Sequence, residues 1–425
     1  MTGLAGVPDD IVDRVSALLD EHREPLVALS HALHADPELG GDEVRAAQRI
    51  SALLSDAGFA QEPTPADLPT AFCFRKGDAP MVVAICVEYD ALPGMGHACG
   101  HNVNAATAVG AALVLGPLAE ALDVSVKVLG TPAEETFGGK ASLIDSGHFD
   151  DVALAMMAHA SDHDAVGGRS LALCQWDVTF TGAPAHAAAA PDRGVNALDA
   201  LVIAQTAIAL ARQQLPPRSV VSTITTEGGR AVNVIPERAR ASIEMRSPSI
   251  EGLRVIQQRV RACLEAGALA TGCTMELARV GNDFADLRQD TSLALSYRDA
   301  MAARGRTVEL TDAAVASTDM GNVSHVVPAI HPLLGYEVGD ATPHTAAFAD
   351  HGTSPSADEA ILDGAFGLAL TAARAALDQA ERARLTREAV VRTGEEPLPQ
   401  RGRPRDPHAA RQRELHRPAR PPRAL

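Results

Sequence analysis

Aromatic residues and lysine are scarce in this chain of 425 residues, which contains one Trp, three Tyr and three Lys. Phe, Tyr and Trp together make up 3% of the sequence, too few for the base-stacking surface of a single-strand nucleic-acid binder. The formal net charge of −17 also opposes binding to nucleic acid and to anionic membranes. We therefore expect neither nucleic acid nor a membrane surface as a partner.

Paired cysteine motifs and long apolar runs are also absent. The six cysteines include no Cys-x-x-Cys pair, which argues against a disulfide scaffold and favours a reduced, cytoplasmic protein. The first residues lack the basic and apolar regions of a secretory signal, and no apolar run reaches about 18 residues. The longest apolar stretch, 103–118, is rich in Ala and Gly, and we interpret it as a buried helix.

The overall composition is that of a globular protein, with 46% hydrophobic and 21% charged residues. Apolar runs at 81–87 and 152–157 predict buried strands, and a further strand is predicted at 124–129. Helical patterns lie between them, and this alternation predicts an α/β fold with a mostly parallel sheet. Ligands of such sheets bind at the carboxyl ends of the strands. In the first helix, 9–34, Pro25 is expected to cause a break or a kink.

The middle of the chain has a different pattern. Alternating residues at 176–181, 220–226 and 239–245 predict strands with one covered face, and helices are expected at 195–214 and 250–266. We interpret this region as a smaller α+β domain inserted into the first. The predicted divisions are 1–172 and 288–392 for the first domain, 173–287 for the inserted domain and 393–425 for an Arg- and Pro-rich tail expected to be disordered.

Side chains that bind metals follow each of the three buried strands. Cys99 and His101 come after the first strand, Glu134 and Glu135 after the second, and His159 after the third. Thiolate and imidazole bind borderline-soft divalent metals, and two adjacent buried carboxylates need compensating positive charge. Each group alone is more typical of a buried core or a solvated surface. Because the carboxyl ends of parallel strands meet at one edge, we expect the three groups to converge.

Seven motifs along the chain stand in the order found in the M20 metallopeptidases. They are EYDALPGMGHACGHN, GTPAEE, AMMAHA, GAPAHAAAAPDRGVNALDA, NVIPE, STDMGNVS and ATPHTAAF, and the resemblance spans residues 20–390. The chain resembles most closely the branch of M20 domain-containing dipeptidases and aminobenzoyl-glutamate hydrolase subunits. The resemblance implies a zinc-peptidase-like catalytic domain interrupted by a lid and dimerisation domain, and a homodimer formed through that lid.

The resemblance also implies two divalent metal ions per subunit, with Zn²⁺ expected and Mn²⁺ or Co²⁺ as alternatives. The implied metal ligands are Cys99, His101, Glu135, His159 and His344. Cys99 would be the ligand shared by the two ions, in a place that many relatives fill with Asp. Zinc suits the thiolate, whereas manganese suits the carboxylate and the imidazoles.

Further roles follow from position in the same motifs. Glu134 matches the general base, Asp90 the carboxylate that orients a metal ligand, and His186 the histidine that stabilises the oxyanion in the partner subunit's site. The substrate-contacting positions that the resemblance implies are Asn233, Arg246 and Asp319. A guanidinium suits a substrate carboxylate because its donors form a planar fork.

The function that these expectations describe is hydrolysis of an amide bond in small dipeptides, with Glu134 deprotonating a metal-activated water. One alternative is a deacylase that acts on N-acyl amino acids or aminobenzoyl-glutamate. Another, from a different class, is a non-catalytic metal- or ligand-binding protein with the same fold. Asn102 and Asn104 stand where the auxin-conjugate branch carries Asp and His, and this difference argues against hormone conjugates as substrates.

Overall fold

The computed structural model describes residues 6–313 and 316–394, so the predicted tail lies outside the described residues beyond 394. The α-helices are α1 (Asp9–Ala35), α2 (Val44–Asp56), α3 (His101–Leu122), α4 (Gly139–Asp145), α5 (Ala197–Ala211), α6 (Ile250–Thr271), α7 (Thr291–Ala303), α8 (Met320–Ser324), α9 (Ala346–His351), α10 (Pro355–Leu377) and α11 (Gln379–Gly394). The strands are β1 (Ala60–Glu62), β2 (Phe72–Lys76), β3 (Met81–Val87), β4 (Val124–Gly130), β5 (Val152–Met156), β6 (His159–Ser161), β7 (Ala165–Val166), β8 (Ala172–Thr181), β9 (Val220–Glu227), β10 (Arg238–Ser247), β11 (Thr274–Phe284), β12 (Glu309–Leu310), β13 (Ala329–Ile330) and β14 (Leu333–Gly335).

Six strands form the central sheet, in the order β1-β2-β4-β3-β5-β13. β3, β4, β5 and β13 run parallel, and β2 joins β4 in antiparallel orientation. Every residue of β3, β4 and β5 is buried, because mostly aliphatic side chains cover both faces. The prediction of an α/β fold with a mostly parallel sheet is confirmed, and the first buried strand has the predicted bounds.

Helix α3 packs against β3 and β4 and is flanked by α1 and α10. It is almost wholly buried, which confirms the interpretation of 103–118 as a buried helix. By length and composition alone, α3 and α10 are each apolar enough to cross a membrane. However, 83% of the apolar window in each helix lies buried inside the protein, as is typical of core helices.

Helix α1 continues through Pro25, so the expected break is wrong. A proline in a helix interior removes one hydrogen bond and crowds the preceding turn, at a cost of about 3 kcal/mol. Leu19, Leu26 and Leu29 are buried on both sides of this proline. Their packing in the core stabilises the helix across the proline.

A second sheet borders the carboxyl edge of the first. Its order is β12-β7-β14-β6, and β6 begins at His159, directly beyond the end of β5. β12 is parallel to β7, β14 is parallel to β6, and β14 is antiparallel to β7. This small sheet therefore continues outward from the edge at which the metal-binding side chains were expected.

The inserted domain is built on a third, antiparallel sheet with the order β11-β8-β10-β9. Helices α5 and α6 pack on this sheet and enclose a separate core around Trp176, Phe180 and Leu264. An α+β insertion is therefore confirmed, while the boundaries 173–287 stay a prediction. Strand β11 was not predicted, because it lies at the edge of the sheet and many of its residues are exposed.

Candidate metal centre

Three neighbouring parallel strands deliver the metal-binding side chains. β3 leads into the segment with Cys99 and His101, β4 is followed by Glu134 and Glu135, and β5 by His159. The strands are adjacent in the sheet, in the order β4-β3-β5, so these side chains meet at one edge. The predicted convergence is therefore what the structure shows.

Cys99 lies at the centre of this cluster. Its Sγ is 3.5 Å from Nε2 of His159 and 3.4 Å from Nε2 of His344. Two groups of three ligand atoms, each within 4.8 Å of one another, share this thiol. One group adds His101 and His159, and the other adds Glu135 and His344. A ligand common to two such groups suits a pair of adjacent divalent ions.

Hydrogen bonds on the side facing away from the cluster orient these ligands, so that their lone pairs point into it. His101 Nδ1 lies 3.0 Å from Oδ1 of Asp90, and the other carboxylate oxygen of Asp90 accepts the N–H of Glu135 at 3.0 Å. His159 Nδ1 lies 2.9 Å from the Ala160 carbonyl oxygen, so each imidazole directs Nε2 into the cluster. His101 Nε2 and Glu135 Oε1 are buried without a hydrogen-bond partner among the described residues. These unpaired atoms fit metal ions.

Two residues beside the cluster have left-handed backbone conformations. Gly100 has φ +74°, and a Cβ there would lie 2.4 Å from the Ala160 Cβ, so only glycine fits. His344 has φ +65°, which costs a residue with a side chain about 1–2 kcal/mol. Its N–H donates to the Ala98 carbonyl oxygen at 2.8 Å, and this bond holds the imidazole beside the thiol.

The two adjacent glutamates differ in their electrostatic surroundings. Burial raises the pKa of Glu134 well above its usual range, and the nearby carboxylates of Glu88 and Glu135 raise it further. Burial also raises the pKa of Glu135, but the nearby imidazoles of His344 and His101 outweigh it and lower that pKa to about 2. Glu135 therefore suits a ligand carboxylate, and Glu134 suits a group that carries a proton.

A completely buried lysine connects two carboxylates beside Glu134. Lys140 Nζ lies 2.6 Å from Glu88 Oε1 and 2.6 Å from Asp319 Oδ1, and solvent reaches none of the three side chains. Asp319 was predicted to contact the substrate, but it is a partner of this lysine and does not line the cavity. The roles of Lys140 and Glu88 were not predicted from the sequence, although the rarity of lysine, with three in the chain, was the one sequence feature that singled out Lys140.

Glu43 is another buried carboxylate that sequence reasoning missed. One of its oxygens accepts the N–H of Ala133 at 2.7 Å. The other accepts the N–H of Gly41 at 2.8 Å and the hydroxyl of Thr70 at 2.9 Å. Ala133 has φ +58°, so Glu43 holds a strained residue directly before Glu134.

A cavity of about 910 Å³ opens over the cluster, between the catalytic and inserted domains. The cluster residues that line it are Cys99, Glu134, Glu135, His159 and His344. Arg246 reaches it from the inserted domain, with Nε 2.7 Å from Glu244 Oε1 and Nη1 donating to Ser317 Oγ at 3.4 Å. The lining residues without a predicted role include Arg169 and His331, and the His331 ring lies 5.3 Å from the His159 ring.

His186 and Asn233 are exposed residues on two neighbouring loops of the inserted domain, the first between β8 and α5 and the second between β9 and β10, and neither residue lines the cavity of its own chain. The N–H of Ala187 donates to the Asn233 carbonyl oxygen at 3.0 Å. His186 Nδ1 accepts the N–H groups of Ala188 and Ala189 at 3.2 Å. Within one chain, the structure therefore does not bring these two predicted residues to the metal-binding cluster.

Two ligand groups that share a thiol, beside a buried glutamate in a cavity, define a hydrolase with a binuclear metal centre. Residues 172–271 match the family model described as a peptidase dimerisation domain. The Xaa-Arg dipeptidase of Mus musculus is 38% identical over 378 residues, which cover 84% of this chain and 87% of that protein. The chain therefore belongs to the M20 family, and it is a peptidase or amidohydrolase of that family.

Two further relatives extend the comparison. A p-aminobenzoyl-glutamate hydrolase subunit from Escherichia coli is 29% identical over 282 residues, or 61% of this chain and 58% of that protein. The Bacillus subtilis YXEP protein, a dinuclear metal-binding peptidase of the M20 family, has a TM-score of 0.59 at 21% identity. The match covers 81% of this chain and 98% of the Bacillus subtilis chain, and it supports the fold.

We predict that Glu43→Gln lowers kcat for amide hydrolysis while KM changes little. The side-chain amide places a donor where two backbone N–H groups and a hydroxyl need acceptors, so the turn before Glu134 loses its support. A buried unsatisfied group costs about 1–3 kcal/mol, which corresponds to a roughly ten- to hundredfold loss of rate if the turn shifts. Steady-state kinetics and bound-metal analysis of the folded variant measure this effect.

Glu38→Gln is the matched control. Glu38 is also buried and accepts a backbone N–H, that of Ala46 at 2.8 Å, but it supports the start of α2 and not the turn before Glu134. We expect it to lower the melting temperature without lowering kcat. A folded Glu43→Gln enzyme with kcat within twofold of wild type would contradict the positioning role.

Proposed function

We propose that this protein hydrolyses the amide bond of small dipeptides, with two divalent metal ions and Glu134 as the general base. The observation that carries the proposal is the Cys99 thiol shared by two ligand groups beside buried Glu134 in one cavity. The 38% identity to an enzyme described as an Xaa-Arg dipeptidase supports dipeptides with a C-terminal basic residue as substrates.

In the proposed mechanism, Glu134 takes a proton from the attacking water and later delivers it to the leaving amine. Divalent ions held by the five ligands would supply Lewis-acid polarisation and lower the pKa of water. Asp90 keeps His101 and the backbone of Glu135 in place through its two oxygens. Arg246 lines the cavity and offers its guanidinium fork to the substrate carboxylate.

We further propose a homodimer formed through the inserted domain. The match to a peptidase dimerisation domain supports it, as does an apolar surface on that domain. Strand β9 lies at an edge of its sheet and exposes Val220 and Ile224, and α5 exposes Val202 and Leu210. In such a dimer, His186 would enter the partner's cavity. Its Nδ1 accepts backbone N–H groups, so Nε2 carries the proton and would donate it in a hydrogen bond to an oxyanion.

Asn233 is proposed to accompany His186 into the partner's cavity, since a backbone hydrogen bond from Ala187 to Asn233 joins their two neighbouring loops. For the metal we propose zinc, with manganese or cobalt as alternatives, because a thiolate at the shared position suits a borderline-soft ion.

We also propose a cytoplasmic location. All six cysteines are unpaired and buried, and a ligand thiol has to stay reduced.

A second candidate function is deacylation of N-acyl amino acids or aminobenzoyl-glutamate. The 29% identity to a p-aminobenzoyl-glutamate hydrolase subunit supports it. Such substrates also carry a carboxylate that Arg246 would bind. They differ from dipeptides in lacking a free amino terminus, so substrate choice separates the two candidates.

We predict that metal-free protein hydrolyses no amide substrate, and that one of Zn²⁺, Mn²⁺ or Co²⁺ restores turnover. The panel contains Xaa-Arg and Xaa-Lys dipeptides, neutral dipeptides, N-acetyl amino acids and p-aminobenzoyl-glutamate. Faster turnover of the basic dipeptides supports the first candidate, and preference for the acylated compounds supports the second. Turnover that survives removal of all bound metal, verified by elemental analysis, would overturn the metal-dependent mechanism.

We predict that Glu134→Gln abolishes turnover and leaves metal content unchanged. A positioned general base contributes about 10²–10⁴-fold to rate, and glutamine has the same size but cannot take a proton. Glu120→Gln, on the exposed side of α3, is the control that should keep full activity. A metal-loaded Glu134→Gln enzyme with more than about a tenth of wild-type kcat would refute the assigned role.

We predict that His186→Ala and Glu134→Gln are each inactive as homodimers but complement each other in a heterodimer. One of the two sites in that heterodimer combines an intact Glu134 with an intact His186 from the other chain, so about half of wild-type activity should return. Purification through two different tags isolates the heterodimer. A verified heterodimer without recovered activity would show that His186 does not act across the interface.

A further inference from the structure

A row of four residues crosses the small sheet from the metal-binding cluster to its outer strand. His159 on β6 pairs with Leu333 on β14, Leu333 pairs with Ala165 on β7, and Ala165 pairs with Glu309 on β12. All four residues line the cavity. Residues that pair across neighbouring strands lie on the same face of a sheet, so this row forms a continuous floor of the cavity.

The outer strand directs one side of its backbone toward the cavity. Glu309, Thr311 and Ala313 are alternate residues, and all three line the cavity, as expected when one face of an extended segment points inward. The N–H of Glu309 donates to the Asp164 carbonyl oxygen at 3.0 Å, and that of Thr311 to the Val166 carbonyl oxygen at 3.1 Å. Glu309 therefore belongs to the cavity wall.

The length of the row suits a long side chain. Three steps between strands, each of ~4.8 Å, place the Cα of Glu309 ~14 Å from the Cα of His159. An arginine or lysine side chain, built from bonds of ~1.5 Å, extends roughly 6 Å beyond its Cα. The Glu309 side chain extends toward it, and the substrate main chain beside the metal-binding cluster would occupy the rest of the row. Between the two ends, Leu333 and Ala165 offer an apolar surface to the methylene stem.

The strand that carries Glu309 is held in place on both sides. Arg306, three residues earlier, donates to both carboxylate oxygens of Asp164 at 2.9 Å and pairs with Asp363 at 3.1 Å. Asp164 also accepts the N–H of Gly335 on β14 at 2.8 Å. These bonds tie β12, β7 and β14 together, so the position of Glu309 is set before a substrate arrives.

Glu309 is the acidic residue of the cavity wall that stands apart from the metal-binding cluster. Glu134 and Glu135 are the other carboxylates that line the cavity. Within 6–313 and 316–394, the Glu309 side chain has neither an ion pair nor a hydrogen bond, and it is exposed. An unpaired carboxylate at the end of an apolar floor is suited to a cationic group.

We propose that Glu309 binds the guanidinium or ammonium group at the end of the substrate's basic side chain, and that the row from His159 to Glu309 is the subsite for this side chain. The inference rests on the proposed hydrolysis of dipeptides, for which it names the residue that selects a basic side chain. Glu309 is a substrate-binding residue and takes no part in the proton transfers at Glu134.

The test compares wild type, Glu309→Gln and Glu309→Arg on three dipeptides that differ in the C-terminal residue. Arg supplies the cation, norleucine supplies an uncharged stem, and Glu supplies an anion. For the Arg dipeptide, Glu309→Gln should raise KM about two- to fivefold, the upper part of the range for an exposed ion pair, with kcat nearly unchanged. The norleucine dipeptide should be unaffected, and Glu309→Arg should favour the Glu dipeptide. Added salt should weaken the wild-type preference for Arg.

Asp312→Asn is the matched control, because Asp312 lies on the same segment, is exposed and does not line the cavity. It removes the same charge and should leave all three KM values unchanged. If the wild type cleaves dipeptides and Glu309→Gln leaves the ratio of KM values for the Arg and norleucine dipeptides unaltered, the subsite alone is overturned. Wild type that cleaves no dipeptide but deacylates other substrates would overturn the proposed function, together with the subsite that rests on it.

Discussion

The carboxylate of Asp90 is the interaction on which the metal centre depends. One oxygen orients His101 and the other accepts the backbone N–H of Glu135, so a single buried group connects ligands from two different strand ends. Glu43 acts in the same way on Ala133, one residue before the general base. Because buried N–H groups are costly to leave unpaired, these carboxylates hold the ligand geometry before any metal binds.

The same edge of the sheet concentrates negative charge, and the fold offsets it locally. The carboxylates gathered there are Glu88, Asp90, Glu134, Glu135 and Asp319. Lys140 supplies one buried positive charge between Glu88 and Asp319. A buried cluster with this excess of acid favours additional positive charge, which two divalent ions would provide. The acidity of the site and its affinity for metal thus have one physical origin.

Chemistry and recognition lie on different parts of the molecule. The strand ends of the central sheet hold the proposed ligands and the proposed general base, the inserted domain contributes Arg246 to the cavity, and the small sheet contributes Glu309. His186 and Asn233 lie on two neighbouring loops away from the cavity of their own chain, and in the proposed dimer they would complete the partner's cavity. Separate units allow substrate preference to change while the metal centre is kept.

The sequence by itself predicted the parallel sheet, and it predicted that Cys99, His101, Glu135 and His159 meet where the ends of parallel strands share one edge. His344 was implied only by the family resemblance. The sequence did not predict the roles of Glu43 and Lys140, whose partners lie as far as 90 and 179 residues away along the chain. Nor did it indicate that Asp319 is a buried ion-pair partner, or that Glu309 faces the cavity. Only tertiary structure decides such roles, because they depend on strand register and chain packing, which leave no periodic signal in a single sequence.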